Sequence, residues 1–132
     1  MLFILATKFF FAMKLLINDH RKIFAIQEDF NKLFPFLKIE FFSKPPRIKA
    51  GSSGKLIKHS GKTLGECRII HNKGKLTITP QMTVAELVQD FRDVYGLTVK
   101  IFRKSGKAFL EATVTGKWTL EEQNKLGEEL SN

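Results

Sequence analysis

Cysteine, long apolar runs and, over one extended segment, negative charge are what this chain of 132 residues has least of. Its single cysteine, Cys67, cannot close an internal disulfide, so the fold must rest on its core, and we expect a reducing, cytoplasmic setting. The most apolar stretch, Met1 to Ala12, is interrupted by Lys8. It falls far short of the about 20 residues a bilayer-spanning helix needs, and it opens without the positive charge of a secretory signal. We therefore expect no membrane partner. Residues 1–12 read as an apolar N-terminal extension ahead of a second plausible start at Met13, an extension that would add a strand if ordered.

Acidic residues are nearly missing between Lys44 and Lys75. These 32 residues hold nine cations, Lys44, Arg47, Lys49, Lys55, Lys58, Lys62, Arg68, Lys73 and Lys75, against Glu66 alone. Almost all of the formal net charge of +9 sits there, which points to a local surface for a polyanion rather than a generally basic protein.

What the chain has in quantity is apolar surface, 43% hydrophobic residues with 13 Phe, enough for one core at this length. We expect a single domain over residues 13–132, with the basic segment 44–75 as a loop. Three Thr-x-x-Glu sequences, Thr63 to Glu66, Thr83 to Glu86 and Thr119 to Glu122, have the pattern in which the Thr hydroxyl and the Glu carboxylate each cap the other residue's amide. They predict helices over Leu64 to His71, Val84 to Tyr95 and Leu120 to Leu130. Apolar spacing predicts a further helix from His20 to about Phe34, capped by Asn18 or Asp19 and ended by Pro35. Strands are expected over Lys14 to Asn18, Phe36 to Ser43 and Lys75 to Thr79.

A hairpin is expected where Leu97 to Lys104 and Lys107 to Thr115 flank Ser105-Gly106. That register sets Phe102 opposite Phe109 and Lys100 opposite Glu111. It gathers Leu97, Val99, Ile101, Leu110, Ala112 and Val114 on a core face. The whole order predicts an α+β fold: a mainly antiparallel sheet with helices on one face. Its order is ferredoxin-like, β-α-β-β-α-β, plus an extra strand and a C-terminal helix. No period of 20 to 50 residues repeats, which excludes a solenoid.

Chemistry-bearing motifs are scarce. Gly61-Lys62-Thr63 and Gly54-Lys55 resemble phosphate-cradling loops, but Leu56 and Lys49 stand where a nucleotide-binding loop needs Gly, and Leu56 also where it needs Ser or Thr. His59, Cys67 and His71 lack a fourth ligand, so no metal or other cofactor is expected. No triad or distinguished carboxylate pair occurs, and we read the chain as a non-enzyme.

Phe102 and Phe109 share the hairpin's outer face with Lys100, while Lys104 and Lys107 border the turn. Aromatics among cations can stack bases and hold phosphates, or dock a partner. The alternative is that the helix Leu120 to Leu130, or residues 1–12, buries both rings, and that covering is our expectation. Lys62-Thr-Leu-Gly-Glu66, Tyr95-Gly96-Leu97, Arg103-Lys-Ser-Gly106 and Trp118-Thr-Leu-Glu-Glu-Gln-Asn124 resemble an uncharacterised family of small bacterial domains over the C-terminal half. The resemblance implies a bacterial, non-enzymatic protein. The function expected is a small binding module whose basic loop holds nucleic acid or a ribonucleoprotein. Its rival is a protein-interaction module, with the basic loop reading an acidic partner and the hairpin docking a neighbour.

Overall fold

The computed structural model describes residues 12–43, 54–58 and 61–131. Its elements follow the order β1 (Met13–Ile17), α1 (Ile23–Leu33), β2 (Leu37–Phe42), a 3₁₀ turn (Gly65–Cys67), β3 (Gly74–Ile78), α2 (Val84–Tyr95), β4 (Thr98–Ser105), β5 (Ala108–Glu111), a second 3₁₀ turn (Thr113–Thr115) and α3 (Leu120–Leu130). This is an α+β fold in the expected β-α-β-β-α-β order, with the extra strand and the C-terminal helix in place. All described strand pairs are antiparallel, and they divide into two sheets, β1-β3 and β2-β4-β5. The helices lie against the core face of β2 and β4.

The core is built twice. Leu15, Ile17, Ile23, Ile26, Phe30, Phe34, Leu37, Ile39, Phe41 and Leu64 are buried in the first half. Leu76, Ile78, Val84, Leu87, Phe91, Tyr95, Leu97, Val99, Ile101 and Leu120 occupy the matching places in the second. The pairings obey the same two-fold relation. Leu15 faces its own counterpart Leu76 across β1-β3, and Glu40 faces its counterpart Lys100 across β2-β4. Backbone bonds repeat as well: the amide of Ile23 donates to the Lys62 carbonyl at 2.9 Å, and that of Val84 to the Trp118 carbonyl at 3.0 Å. Leu64 donates to Arg21 at 2.8 Å and Leu120 to Met82 at 2.9 Å. The fold is thus a duplicated βαβ unit closed on itself around an approximate two-fold axis. The repeat is longer than 50 residues and its core positions interchange Ile, Val, Leu and Phe, which hides it from a search for shorter periods.

Local departures from the expected elements have identifiable causes. The helix expected over Leu64 to His71 is only the single turn Gly65–Cys67. Its cap forms, with the Thr63 amide donating to Glu66 Oε2 at 2.7 Å, but Arg68 is already extended. Arg68 is drawn inward instead, donating to Asp19 Oδ1 from both Nε and Nη2 and to the Tyr95 carbonyl at 3.0 Å. Asn18 does not cap α1; its Oδ1 accepts from the amides of His20 and Arg21 in the preceding turn, and Lys22 stands at the helix start.

The hairpin turns one residue later than its composition implied. Ser105 pairs with Ala108, so Gly106 and Lys107 form the turn, Phe102 faces Glu111 and Phe109 faces Lys104. Among the described residues only glycines have positive φ, Gly106 at 60° included. Lys107 keeps a negative φ, so the lone glycine takes the first central position of a two-residue turn. The shift preserves strand faces: Leu97, Val99, Ile101 and Ala112 are buried as expected. Leu110 and Val114 are exposed, because β5 stops at Glu111 and the chain turns away at Thr113.

Candidate nucleic-acid interface

Alternation along β2 and β4 commits Leu37, Ile39, Phe41, Val99 and Ile101 to the core, which leaves the intervening residues on the opposite face. That outer face carries Lys38, Glu40 and Phe42 from β2, Lys100, Phe102 and Lys104 from β4, and Phe109 and Glu111 from β5. α3 does not cover it, contrary to the sequence expectation. Its Gly127 packs on Phe36 and on the Arg103 stem, and Arg103 belongs to the core-side face. Phe102 is half-buried and Phe109 is 39% exposed. Residues 1–11, the other cover expected, lie outside the described residues.

Cations sit directly on these rings. Lys38 Nζ is 4.4 Å from the centroid of Phe109 and 5.7 Å from that of Phe102, and Lys100 Nζ is 4.8 Å from that of Phe42. The face also carries two loose ion pairs, Lys38 with Glu40 and Lys100 with Glu111, each at 3.6 Å. The Lys100–Glu111 contact expected from sequence survives as a diagonal one after the register shift. Phe42 and Phe102 occupy equivalent places in the two halves, so the repeat generates two of the three aromatic positions.

The basic segment meets this face along one edge. The Ser43 amide donates to the Lys55 carbonyl at 2.7 Å, and the Ile57 amide to the Phe41 carbonyl at 2.8 Å. Leu56 thereby bridges to Phe42, and residues 55–57 run beside β2 as β5 runs beside β4. Lys55 and Lys58 are exposed there, Lys62 is exposed beside the start of α1, where its carbonyl accepts from Ile23, and Lys73 and Lys75 are exposed at the start of β3. Lys107 is exposed in the hairpin turn and Lys104 is partly exposed on the outer face. Lys44, Arg47 and Lys49 lie outside the described residues.

Arg68 is not a surface cation. Its side chain is fully buried and paired with Asp19 at 2.9 Å, so it holds the first half to the end of α2 and has no face for a ligand. His71 Nδ1 meets the same carboxylate at 2.8 Å. The hydrogen bond from His71, then that from Arg68, hold the Asp19 carboxyl below the ordinary carboxylate range. Cys67 is partly buried, and that burial pushes its thiol up, away from the reactive thiolate. No group of three metal-ligating side chains occurs among the described residues.

Sequence reasoning missed Lys38, which lies over Phe109 and Phe102, and Phe42 as a third aromatic of this face, under Lys100. The signal was present: Phe42 breaks the alternation of its strand, as an aromatic on an outward position does. Among the described residues no helix is long and apolar enough to cross a membrane. No protein-family model, curated protein or solved structure matches the chain.

Proposed function

We propose that the protein is a small non-enzymatic module that binds single-stranded nucleic acid, free or within a ribonucleoprotein, across the outer face of β2-β4-β5. The observation that carries this reading is the pairing of residues 55–57 with the end of β2, which borders a face bearing Phe42, Phe102 and Phe109 with the chain's most cationic segment. Bases stack on aromatic rings of any sequence context, and phosphates are held by Lys and Arg alongside. Lys38 and Lys100 already lie over ring faces. A stacked base would take the ring, and the displaced ammonium would remain within reach of the adjoining phosphate.

The test is fluorescence anisotropy with a single-stranded oligonucleotide across a salt series, on the full chain and two variants. Affinity should fall with salt, with a log–log slope of about −0.7 per phosphate neutralised. Reversing Lys55, Lys58 and Lys62 to Glu should flatten that slope and abolish binding near 100 mM salt, with the melting temperature unchanged, since solvated charges contribute about 0 to 1 kcal/mol each. Phe109→Ala should weaken binding by about 1 to 3 kcal/mol. Salt-independent binding, or equal binding by all three proteins, would reject the reading.

A further inference from the structure

The core-side flank of β5 ends in an open cleft of about 270 Å³, whose lining includes Arg103, Leu110, Val114, Trp118, Gln123 and Leu126. Its rim is apolar and exposed: Leu110 is 49%, Val114 81% and Trp118 44% accessible. Its floor is polar and incompletely paired. Gln123 is 2% exposed, and its Oε1 has no hydrogen-bond partner among the described residues. The orientation of this amide follows from its neighbour. Thr115 Oγ1 donates to the Ala112 carbonyl at 3.0 Å and so must accept from Gln123 Nε2 at 2.8 Å, which leaves Oε1 as the orphan. Arg103 Nη1 is likewise buried without an acceptor, and its guanidinium has no carboxylate within ion-pair distance among the described residues.

Among the described residues, β5 pairs only with β4, so the sheet edge above the cleft is open. Ser105–Ala108 and Arg103–Leu110 are the hydrogen-bonded pairs if the bond from the Ala112 amide to the Ile101 carbonyl at 2.8 Å is continued by the antiparallel alternation. The amides and carbonyls of Phe109 and Glu111 then point away from β4. The opposite edge of the same sheet is closed: the carbonyls of Leu37 and Ile39 accept from Asn31 and Gln27 of α1, and residues 55–57 pair with the end of β2.

We propose that β5 and this cleft receive an extended acidic segment of a protein partner, added as a further strand. Main-chain bonds to Phe109 and Glu111 would supply the register. Alternate side chains would descend beside Leu110, Val114 and Trp118, the arrangement by which an edge strand with adjacent pockets selects a peptide. A donor without an acceptor at Arg103, with Lys107 in the hairpin turn and Lys117 in the turn that follows β5, calls for a carboxylate, since Glu111 of the cleft lining is engaged by Lys100 instead. The excess of positive charge disfavours a second copy of this chain as the occupant.

The experiment selects from a display library of random twelve-residue peptides on the immobilised full-length protein. The enriched peptides should alternate apolar residues with Asp or Glu. On titration into the isotope-labelled protein they should move the amides of Phe109 and Glu111 and the indole of Trp118. Val114→Glu, at a position too exposed to affect folding, and Trp118→Ala should each weaken the best peptide about tenfold or more. N-methylation at alternate amides of the peptide should abolish binding. Arg103→Gln should weaken the acidic peptide and leave its Glu→Gln analogue unchanged. Failure to enrich any peptide, enrichment of basic ones, or equal affinity for Val114→Glu would overturn the proposal. So would a dimer of the protein that Leu110→Glu dissociates, or a single-stranded oligonucleotide moving the Trp118 indole, which lies off the outer face.

Discussion

Asp19 follows β1 and accepts from two side chains, the buried Arg68 at 2.9 Å and the exposed His71 at 2.8 Å. Its folded-state pKa is depressed, first by the His71 hydrogen bond and then by that of Arg68. A carboxylate depressed in this way stabilises the fold at pH values above its unfolded pKa of about 3.9, and the contribution disappears as pH falls through the lower folded value. Asp19→Asn is therefore expected to lower the denaturant midpoint at pH 5 to 6 and to converge on the parent protein as both are acidified below pH 4. A pH series of urea melts checks this, and a constant offset over the whole range would contradict it. Arg68→Met removes the buried partner and leaves the Tyr95 carbonyl unmet. It should cost about 1.5 to 3 kcal/mol in the same assay, with no change in oligonucleotide affinity per folded molecule.

Element boundaries were set by caps only where the rest of the helix had something to bury. Thr119 and Glu122 form the reciprocal cap, with bonds of 2.9 and 3.0 Å, and α3 then runs on because Leu120, Gln123 and Gly127 dock against the sheet side. The same cap at Thr63 yields one turn, since the residues beyond Leu64 are claimed by Asp19 and Tyr95 instead. At the far end of α2, Gly96 adopts φ 65°, and its amide donates to Arg92 and Phe91 carbonyls. A Cβ there would lie 3.1 Å from Ile70 Cβ, whereas one at Gly106, with φ 60°, would meet nothing within 4 Å. Both positions impose the left-handed strain of about 1 to 3 kcal/mol on a non-glycine residue. Gly96→Ala should therefore lower thermal stability more than Gly106→Ala, and equal losses would show that the Ile70 contact relaxes without cost.

The duplication makes a quantitative demand on the whole molecule. Phe30 and Phe91 are fully buried at corresponding places in α1 and α2, Phe30 beside Phe34 and Phe91 edge-on to Phe41. Truncation of either to Ala should cost about 3 to 5 kcal/mol, and the two costs should agree to about 1 kcal/mol if the two units share one cooperative core. Equilibrium unfolding of both variants decides the matter. Two separate transitions would mean that the halves are independently stable.

Periodicity and caps carried the α+β class, the element order and four of the six residues expected on the hairpin's core face, Leu97, Val99, Ile101 and Ala112. Those signals arise within a few residues of chain, where spacing alone dictates which side chains can share a face. The basic segment was equally visible, because charge is a sum over sequence. Tertiary structure decided the rest. Arg68 counts as a cation in sequence and as a buried strut in the fold, since only folding brings Asp19 and the Tyr95 carbonyl to it. The hairpin register depended on which turn residue could accept a positive φ. The outer aromatic face exists because α3 docks on the opposite side, through contacts from Phe36 and Arg103 to Gly127 that no local pattern encodes. The two-fold repeat is likewise hidden in the sequence, because burial constrains the shape of a core and not the identity of each apolar residue that fills it.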